Sequence, residues 1–423
     1  MSDQGAPTHS AVAALGVRDF RIFWVAALVS NTGSWMQNAA IPFVIFQIAG
    51  RNLAVGITGF WQYVPVMVMG IVGGSLADRF NRRHLLIGAQ VVQAVLAVLL
   101  YLDIAAGTAT VTRITVLAFL SGLAGGLNIP IWQSFVTELV PRPLLANAIT
   151  LNSTQFNAAR ALGPLVGFAA ASVLGPAPVF LINAISFGAV LIALPMIRVG
   201  KNWHRPRGPR PNALTDLVAG ARYVAASPGI RACCYAIIAI AGIGSPLFSF
   251  LPASFGQQVF GLSTVGIGVL AGASGIGALI AAPLLLTRFA EVPRSRLLIG
   301  AMAVYGLGVL LVGVAPSVWL AVVAVAIFGG AYLAIASAIN TTIQLLARDD
   351  MRGKSVAIYI ACLTGSLPVG LYLWGLFADR FGIRATAVTA GCLLIVVTAV
   401  FAVTGRFTAM ASADEARSEA RGQ

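Results

Sequence analysis

Apolar and polar residues fall along this chain in long blocks. Twelve apolar runs are each long enough to cross about 30 Å of hydrocarbon. All but one of the joins are short and rich in Gly or Pro, so neighbouring runs must form antiparallel helices that satisfy their own backbone hydrogen bonds in lipid. The pattern predicts an all-α membrane protein with twelve transmembrane helices, beginning near Arg21, Ala54, His84, Arg113, Asn147, Pro176, Arg231, Thr264, Arg296, Ser317, Gly353 and Ala385.

One long polar segment, Arg198 to Gly229, follows the sixth run and divides the twelve runs into six and six. Within it, the spacing of apolar residues from Ala213 to Ala226 predicts a short amphipathic helix on the membrane surface. The predicted organisation is therefore a tail (1–19), a six-helix bundle (20–198), a linker with the amphipathic helix (199–229), a second six-helix bundle (230–406) and a tail (407–423).

The two halves also resemble each other in sequence. The stretches that begin at Asn128 and at Ile335 both run from an apolar segment with a polar stripe, through a charged corner, into the next apolar run. Internal duplication of this kind is typical of secondary transporters, which place the substrate site between pseudo-symmetric halves.

Composition supports the membrane class. Hydrophobic residues make up 58% of the chain and charged residues only 9%, whereas a soluble domain carries about 25% charged residues. The net charge of +14 is spread over loops beside apolar runs, so we expect the lipid bilayer as a partner and no nucleic acid. The cysteines all lie inside apolar runs without metal-ligand spacing, and we predict core positions and no metal or disulfide role for Cys233, Cys234, Cys362 and Cys392.

The basic residues fall mostly on one side of the predicted membrane. The other side holds only Arg51, Arg113, Arg380 and Arg384. Because loops that stay in the cytoplasm carry the excess positive charge, both termini are predicted to be cytoplasmic. The first seventeen residues lack an apolar segment, so no cleavable signal peptide is expected there.

A charged corner between the second and third runs reads GGSLADRFNRR, from Gly73 to Arg83. It resembles the major facilitator superfamily signature G-x-x-x-D-R-x-G-R-R. Asn81 stands where that signature has Gly, and Asn tolerates the left-handed conformation better than most residues. The residues in register with the signature are Gly74, Asp78, Arg79, Arg82 and Arg83.

The resemblance implies the major facilitator fold and a gate at this corner. In that family the acid and its arginine hold the cytoplasmic side closed, which implies the same role for Asp78 and Arg79. Asp78 can accept hydrogen bonds from the positive N-terminus of the helix that starts near Met351, and Glu138 is predicted as a further member of the gate. A similar sequence, LFADRFG from Leu376, lies on the predicted outer face and is interpreted as coincidence.

Three further segments resemble the enterobactin-exporter-like branch of the superfamily: LVAGARYVAASP, GGAYLAIASAINTTIQLLARDD and LVPRPLLANAITLNSTQFNAARALGP. That branch contains siderophore and drug exporters. The resemblance implies a secondary active exporter of a small organic molecule, working by alternating access in the bacterial cytoplasmic (inner) membrane as a monomer, with protons as coupling ion. An importer or facilitator of a small metabolite or lipid without proton coupling is the alternative.

In this superfamily the first, fourth, seventh and tenth helices line the cavity. The candidate substrate residues are therefore the polar stripes on these helices, together with two residues of the fifth helix. Asn31, Trp35 and Asn38 recur on one helical face. Amides and hydroxyls in membrane helices also join helices to one another, and the sequence leaves both roles open. The full candidate set is Asn31, Trp35, Asn38, Asn128, Trp132, Gln155, Arg160, Ser245, Phe248, Tyr332, Asn340 and Gln344.

Arg160 stands out because it is an ionised group deep inside a predicted helix. Counting from Asn147 at about 1.5 Å per residue places it roughly 20 Å into the membrane, where a charge is costly and usually functional. It could bind an anionic or polar substrate, or it could be a structural hydrogen-bond node of the first bundle.

Carboxylates show the opposite distribution. All of them are predicted at loops, corners or tails, so the sequence offers no mid-membrane acid for proton coupling. No clustered Ser, His and acid is present within the spans, which argues against an enzyme, and no cofactor is predicted.

Overall fold

The computed structural model describes residues 12–198, 213–348 and 350–405, and within these ranges every regular element is helical. Two of the connections are short 3₁₀ turns, at Ala13–Gly16 and Arg142–Leu144. The α-helices are α1 (Arg18–Ala49), α2 (Asn52–Arg79), α3 (Arg82–Ala105), α4 (Val111–Glu138), α5 (Leu145–Leu174), α6 (Ala177–Met196), α7 (Ala213–Ala226), α8 (Pro228–Ala239), α9 (Leu247–Phe250), α10 (Thr264–Leu286), α11 (Arg294–Val314), α12 (Val318–Leu346), α13 (Arg352–Phe381) and α14 (Ile383–Val403).

Helix lengths and compositions agree with the predicted all-α membrane fold. Within the described ranges, eleven helical segments are long and apolar enough to cross a membrane. The remaining predicted span is α1, whose 32 residues suffice in length. Its hydropathy is lower because it carries polar residues such as Asn31 and Asn38, which the sequence places on a substrate-facing stripe.

The chain divides into two compact units by its internal contacts. Unit 1 comprises Met1–Ile41 and Pro65–Gly208, and unit 2 comprises Pro42–Val64 and Pro209–Gln423. This division differs from a simple split into six and six helices, because two of its breaks fall at prolines inside helices, at Pro42 of α1 and at Pro65 of α2. The first half of α2 packs on α13 in unit 2, where a methyl group at Gly375 would lie only 3.2 Å from Gly56 Cα.

Unit 1 is held together by an aromatic core and by glycines that allow close helix approach. The ring of Phe23 lies 4.5 Å from Trp132 and 5.3 Å from Phe135, measured between centroids. A side chain at Gly33 of α1 would collide with Ser186 of α6. Small residues at such crossings are the usual means of packing helices in lipid, where apolar burial alone gives no driving force.

Unit 2 uses the same device between α10 and α12. A Cβ atom at Gly277 would collide with the backbone of Ala326, and one at Gly329 would collide with the backbone of Ser274. These two contacts lie within one helical turn of each other, so the backbones of α10 and α12 approach closely at this crossing.

The predicted amphipathic helix is present as α7, with the predicted bounds. It packs against the start of α13, where Lys354 Nζ lies 2.8 Å from Asp216 Oδ1. The Tyr223 hydroxyl accepts a hydrogen bond of 3.2 Å from the Arg348 amide. The linker helix is therefore docked on unit 2 by polar contacts, and its position on the membrane surface stays a prediction.

The seventh span departs from regular α-helix around Pro246. It combines α8, α9 and two π-helical segments, Ile240–Gly244 and Leu251–Val259. Proline has no N–H, so the carbonyl of Gly242 loses its usual partner one turn later. The indole nitrogen of Trp374 on α13 supplies that hydrogen bond at 3.1 Å, and Gly370, which carries no side chain, lets α13 approach this carbonyl.

The cysteines follow the predicted pattern only in part. Cys233 and Cys234 are buried on α8, Cys362 is half-buried, and Cys392 is exposed on α14. The predicted core position is therefore wrong for Cys392, because an apolar residue in a membrane helix can face lipid as well as protein.

We predict that Trp374→Phe will lower the melting temperature of the purified protein. The change keeps the aromatic packing and removes the N–H, which leaves the Gly242 carbonyl without this donor at a cost of about 1–3 kcal/mol. Trp319→Phe is the matched control, since Trp319 is 73% exposed. Equal melting temperatures for the two variants would show that the bond across the break adds nothing to stability.

Candidate transport site

The first polar contact of the site joins α1 to α5 in unit 1. Asn31 Nδ2 donates a hydrogen bond of 3.1 Å to Gln155 Oε1. Gln155 is only 1% exposed, and its Nε2 has no hydrogen-bond partner among the described residues. Two of the predicted substrate residues therefore lie together, and one buried amide N–H group is left available for a further acceptor.

Trp35, on α1, also packs against α5. Its ring packs edge-to-face with Phe156 at a centroid distance of 5.7 Å. A side chain at Gly163 would collide with the Trp35 Cβ atom, so this glycine allows α1 to approach. Asn38 lies further along α1 and is half-buried.

Arg160 occupies the centre of α5, a helix of 30 residues. It follows Phe156 by four positions and precedes Gly163 by three, so all three residues share one helical face. Since Phe156 contacts the Trp35 ring and Gly163 approaches the Trp35 Cβ atom, Arg160 lies on the face of α5 that α1 approaches at Trp35. Its Nε and Nη2 atoms are shielded from solvent. The result is a permanent positive charge at mid-helix, on the face of α5 that approaches Trp35.

The fourth helix contributes less to this face than the sequence predicts. Trp132 is 8% exposed and belongs to the core of unit 1. Its Nε1 donates to Asn152 Oδ1 at 3.3 Å, which ties α4 to α5. Asn128 is half-buried, with its Oδ1 shielded from solvent. The structure thus gives Trp132 packing contacts within its own unit.

Unit 2 carries an aromatic cluster made of Phe248, Tyr305, Phe328 and Tyr332. Ring centroids of Phe248 lie 4.8 Å from Phe328 and 6.2 Å from Tyr332. Tyr305 lies 5.7 Å from Phe328 and 6.3 Å from Tyr332. The structure therefore brings two predicted site residues, Phe248 and Tyr332, together.

Sequence reasoning missed two members of this cluster. Phe328 precedes Tyr332 by one helical turn, a spacing that could have indicated a shared face. Tyr305 lies on α11 and carried no such signal. Ser245, another candidate, donates its hydroxyl to the Ile240 carbonyl of its own helix at 3.2 Å.

Asn340 and Gln344 are separate from the aromatic cluster. Both are exposed in the last turns of α12, and Gln344 Nε2 donates to Asn340 Oδ1 at 3.1 Å. Eight residues at about 1.5 Å each put Asn340 roughly 12 Å along the helix from Tyr332. The stripe predicted on α12 is therefore divided: Tyr332 belongs to the aromatic cluster, and Asn340 and Gln344 form a separate polar pair.

Of the predicted gate, only part can be described. The side chains of Gly74, Asp78 and Arg79 lie outside the described residues. Arg82 forms an ion pair with Glu138, which joins the start of α3 to the end of α4 within unit 1. Arg83 donates to the Ile197 carbonyl beyond α6 at 3.2 Å.

The segment LFADRFG, which the sequence analysis interprets as a coincidental likeness, makes a defined contact in the structure. Asp379 lies near the end of α13. One of its oxygens accepts a hydrogen bond of 2.6 Å from the backbone N–H of Asn52, the first residue of α2. Its second oxygen accepts from Arg51 Nε at 3.2 Å. The Ser254 hydroxyl donates to the Asn52 side chain beneath this contact. A carboxylate thus caps a helix N-terminus, which is the contact that the sequence analysis predicts for Asp78.

The described carboxylates all lie near helix ends or in loops. Asp103 accepts from Arg113 Nη1 at 3.0 Å beside the loop that joins α3 to α4. Asp19, at the start of α1, accepts from the Arg198 amide at 2.8 Å. Within the described part of the chain, the middle of each spanning helix lacks an acid.

Comparison with known proteins agrees with this architecture. The family model described as Transmembrane secretion effector matches residues 9–421. The multidrug efflux pump Tap of Mycolicibacterium fortuitum is 26% identical, over 89% of this chain and 93% of that protein. The staphyloferrin A transporter of Staphylococcus aureus is 24% identical, over 90% of this chain and 95% of that protein.

Among solved structures, a bacterial homolog of the human lysosomal transporter Spinster superposes with a TM-score of 0.73 and 16% identity. The match covers 94% of this chain and 98% of that one, and at this identity it shows the fold alone. The relatives are membrane transporters and not enzymes, as the sequence analysis predicts. The chain therefore belongs to the Transmembrane secretion effector family of the major facilitator superfamily.

Proposed function

We propose that this protein is a secondary active exporter of a small organic molecule across the bacterial cytoplasmic membrane, working by alternating access with both termini in the cytoplasm. The observation that carries the proposal is the polar middle of α5 in unit 1, where Arg160 shares a helical face with Phe156, the partner of Trp35, and Gln155 pairs with Asn31 within two turns. A charge and buried amides at this depth are costly in a membrane protein and are typical of a substrate pathway. The Tap and staphyloferrin A relatives support a transport role.

We assign to this face a substrate with anionic or oxygen-rich groups. A guanidinium stays protonated under all relevant conditions and offers a planar fork of donors, which matches carboxylate, catecholate or hydroxamate oxygens. The Gln155 Nε2 donor adds a second point of recognition. Trp35 gives the face an apolar surface for the rest of the substrate.

A second cargo class is an aromatic or cationic drug, and the aromatic residues Trp35 and Phe156 favour it. In that case Arg160 would be a structural node of unit 1. The alternative to export is import or facilitated movement of a metabolite, and the same side chains would bind that substrate.

The ends of the transporter are proposed to be closed by carboxylates at helix N-termini. On the face we assign to the exterior, Asp379 caps α2 through Asn52 and Arg51. On the cytoplasmic face, we propose that Asp78 caps α13 in the same way. Each contact can break and re-form during alternating access, because the unsatisfied N–H groups of a helix end carry only about half a positive charge and bind a carboxylate moderately.

The direct test is accumulation of candidate compounds in cells that lack or express the protein. We expect export to lower the intracellular level of a carboxylate, catecholate or hydroxamate siderophore, and an uncoupler to restore it if protons drive transport. Cells expressing Arg160→Gln at matched abundance are the control. Equal accumulation with and without the protein for siderophores and for cationic drugs would contradict the export proposal.

We predict that Arg160→Lys and Arg160→Gln will reduce siderophore export to a similar extent. Lysine keeps the charge but loses the planar fork, so loss of one charge-assisted bond of about 1.5–3 kcal/mol lowers transport at least tenfold. Transport rates at matched membrane abundance provide the measurement. If Lys restores activity while Gln gives an unstable protein, Arg160 is a structural node and the drug cargo is favoured.

We predict that Asp379→Ala will slow transport by about tenfold, because the variant loses the charge-assisted bond to the α2 N-terminus. Asp350→Ala is the matched control, since its ion pair with Arg348 is 66% exposed on both sides and contributes little. Initial transport rates at equal abundance decide the outcome. An Asp379→Ala rate equal to that of the control would exclude a closing role for this contact.

A further inference from the structure

Each unit has an apolar groove on its helical surface. In unit 2 the groove has a volume of 520 Å³ and lies among α10, α11 and α12. In unit 1 the groove has a volume of 460 Å³ and is lined mainly by α3 and α4. Neither groove includes a residue of the candidate transport site, so their role is separate from that site.

The two grooves are built from the same repeated sequence. The start of α3 reads HLLIGA from His84, and the start of α11 reads RLLIGA from Arg296. Five lining residues correspond along these helices: His84, Leu85, Gly88, Ala89 and Val92 match Arg296, Leu297, Gly300, Ala301 and Val304. The correspondence continues on the partner helices, where Leu120, Leu123, Ala124 and Leu127 match Ile327, Gly330, Ala331 and Ala334.

The glycine of the repeat keeps each groove open. A Cβ atom added at Gly88 or at Gly300 would have no other atom within 4 Å. This distinguishes both residues from Gly277 and Gly329, which are needed for close helix packing. Both Gly88 and Gly300 are exposed, so the space beside them is available to an occupant from outside the protein.

Charge at the mouth differs between the grooves. Arg296 is exposed, lines the unit 2 groove and makes no hydrogen bond or ion pair with any described residue. Arg288 and Glu291 are exposed in the loop that precedes α11, and Arg294 begins that helix. These four residues carry a net positive charge.

The unit 1 groove has His84 at the position of Arg296. The two arginines before His84 are engaged within the protein, Arg82 with Glu138 and Arg83 with the Ile197 carbonyl. The unit 1 mouth therefore lacks an available group with a permanent positive charge among its described lining residues.

We propose that the unit 2 groove binds an anionic phospholipid, with an acyl chain along α11 and the phosphate at Arg296. The lining is apolar apart from Arg296, and it extends from Arg296 to Val304, about 12 Å along the helix. A guanidinium binds phosphate oxygens through two parallel hydrogen bonds. Basic residues at the cytoplasmic ends of membrane helices are typical contacts of anionic headgroups.

The same reasoning makes the unit 1 groove a weaker and less selective copy. Its apolar lining accepts an acyl chain, but the imidazole of His84 lacks the planar fork of donors with which a guanidinium binds phosphate oxygens. Anionic selectivity therefore resides in the single difference between HLLIGA and RLLIGA. A substitution that exchanges the two side chains should transfer the selectivity from one groove to the other.

The test uses the full-length protein purified in detergent and mixed with equal amounts of phosphatidylglycerol and phosphatidylcholine that carry identical acyl chains. Native mass spectrometry counts the lipids retained. We expect the parent protein to retain phosphatidylglycerol with about tenfold preference, as one charge-assisted contact implies. Arg296→Ala should reduce that preference to near equality, and His84→Arg should add a second retained phosphatidylglycerol.

Two matched controls separate the groove from general effects. Arg142→Ala removes another exposed arginine outside the groove, and Gly188→Leu adds a side chain in open space on α6. Both should keep the parent preference, whereas Gly300→Leu should lose the retained lipid because it fills the groove.

Three results would overturn the proposal. The first is an unchanged preference in Arg296→Ala. The second is a dimer that Gly300→Leu abolishes, which would make the groove an interface between copies of the chain. The third is displacement of the lipid by a transported compound, which would make it a substrate path. If Gly300→Leu fails to fold, the lipid preferences of Arg296→Ala and His84→Arg still test whether the unit 2 groove binds an anionic phospholipid.

Discussion

A guanidinium in the middle of a membrane helix is the constraint around which unit 1 is arranged. Arg160 is always charged, and moving a charge into hydrocarbon is unfavourable unless polar or aromatic groups surround it. The chain provides such groups nearby: the face of α5 that carries Arg160 also carries Phe156, which packs against Trp35, and Asn31 and Gln155 form a hydrogen bond within two turns. Gly163 allows α1 to come close enough for these contacts. The proposed transport function therefore depends on one unusual residue and the packing that accommodates it.

Several helices are interrupted by prolines or by π-helical segments. Prolines inside α1 and α2 mark the places where the chain passes from one unit to the other. In the seventh span, Pro246 frees a carbonyl that Trp374 satisfies from another helix. π-helical segments are often found at functional sites and are points where a helix can bend. A transporter that works by alternating access needs such points, since regular helices in a packed bundle resist bending.

The sequence predicted the fold well because membrane helices leave a strong signal. A run of about twenty apolar residues has few other uses, so the spans and their order could be counted directly. The linker helix α7 was also predictable, because its apolar spacing is helical while its neighbours are polar. The charged corner at Asp78 could be identified because a defined spacing of Gly, Asp and Arg carries the resemblance.

The contacts between distant segments could not be predicted in the same way. Asp379 looked like a chance repeat of the corner sequence, and only the folded chain places it against the N-terminus of α2. Tyr305 joins the aromatic cluster from α11, which the polar stripes did not mark. For Trp132 the sequence left open whether it lines a cavity or joins helices, and its contacts with Phe23 and Asn152 place it in the unit 1 core. Helical periodicity predicts on which face of its helix a residue lies, but it does not predict which residue of another helix packs against it.

The central claim is that Arg160 recognises the anionic groups of the transported molecule. The most direct measurement is calorimetric binding of a polycarboxylate siderophore and of its methyl ester to the purified protein in lipid nanodiscs. The ester keeps the shape and removes the charge. Our account predicts that the acid binds at least tenfold more tightly than the ester, as one charge-assisted contact implies, and that Arg160→Gln abolishes the difference. Equal binding of acid and ester to the parent protein would contradict it.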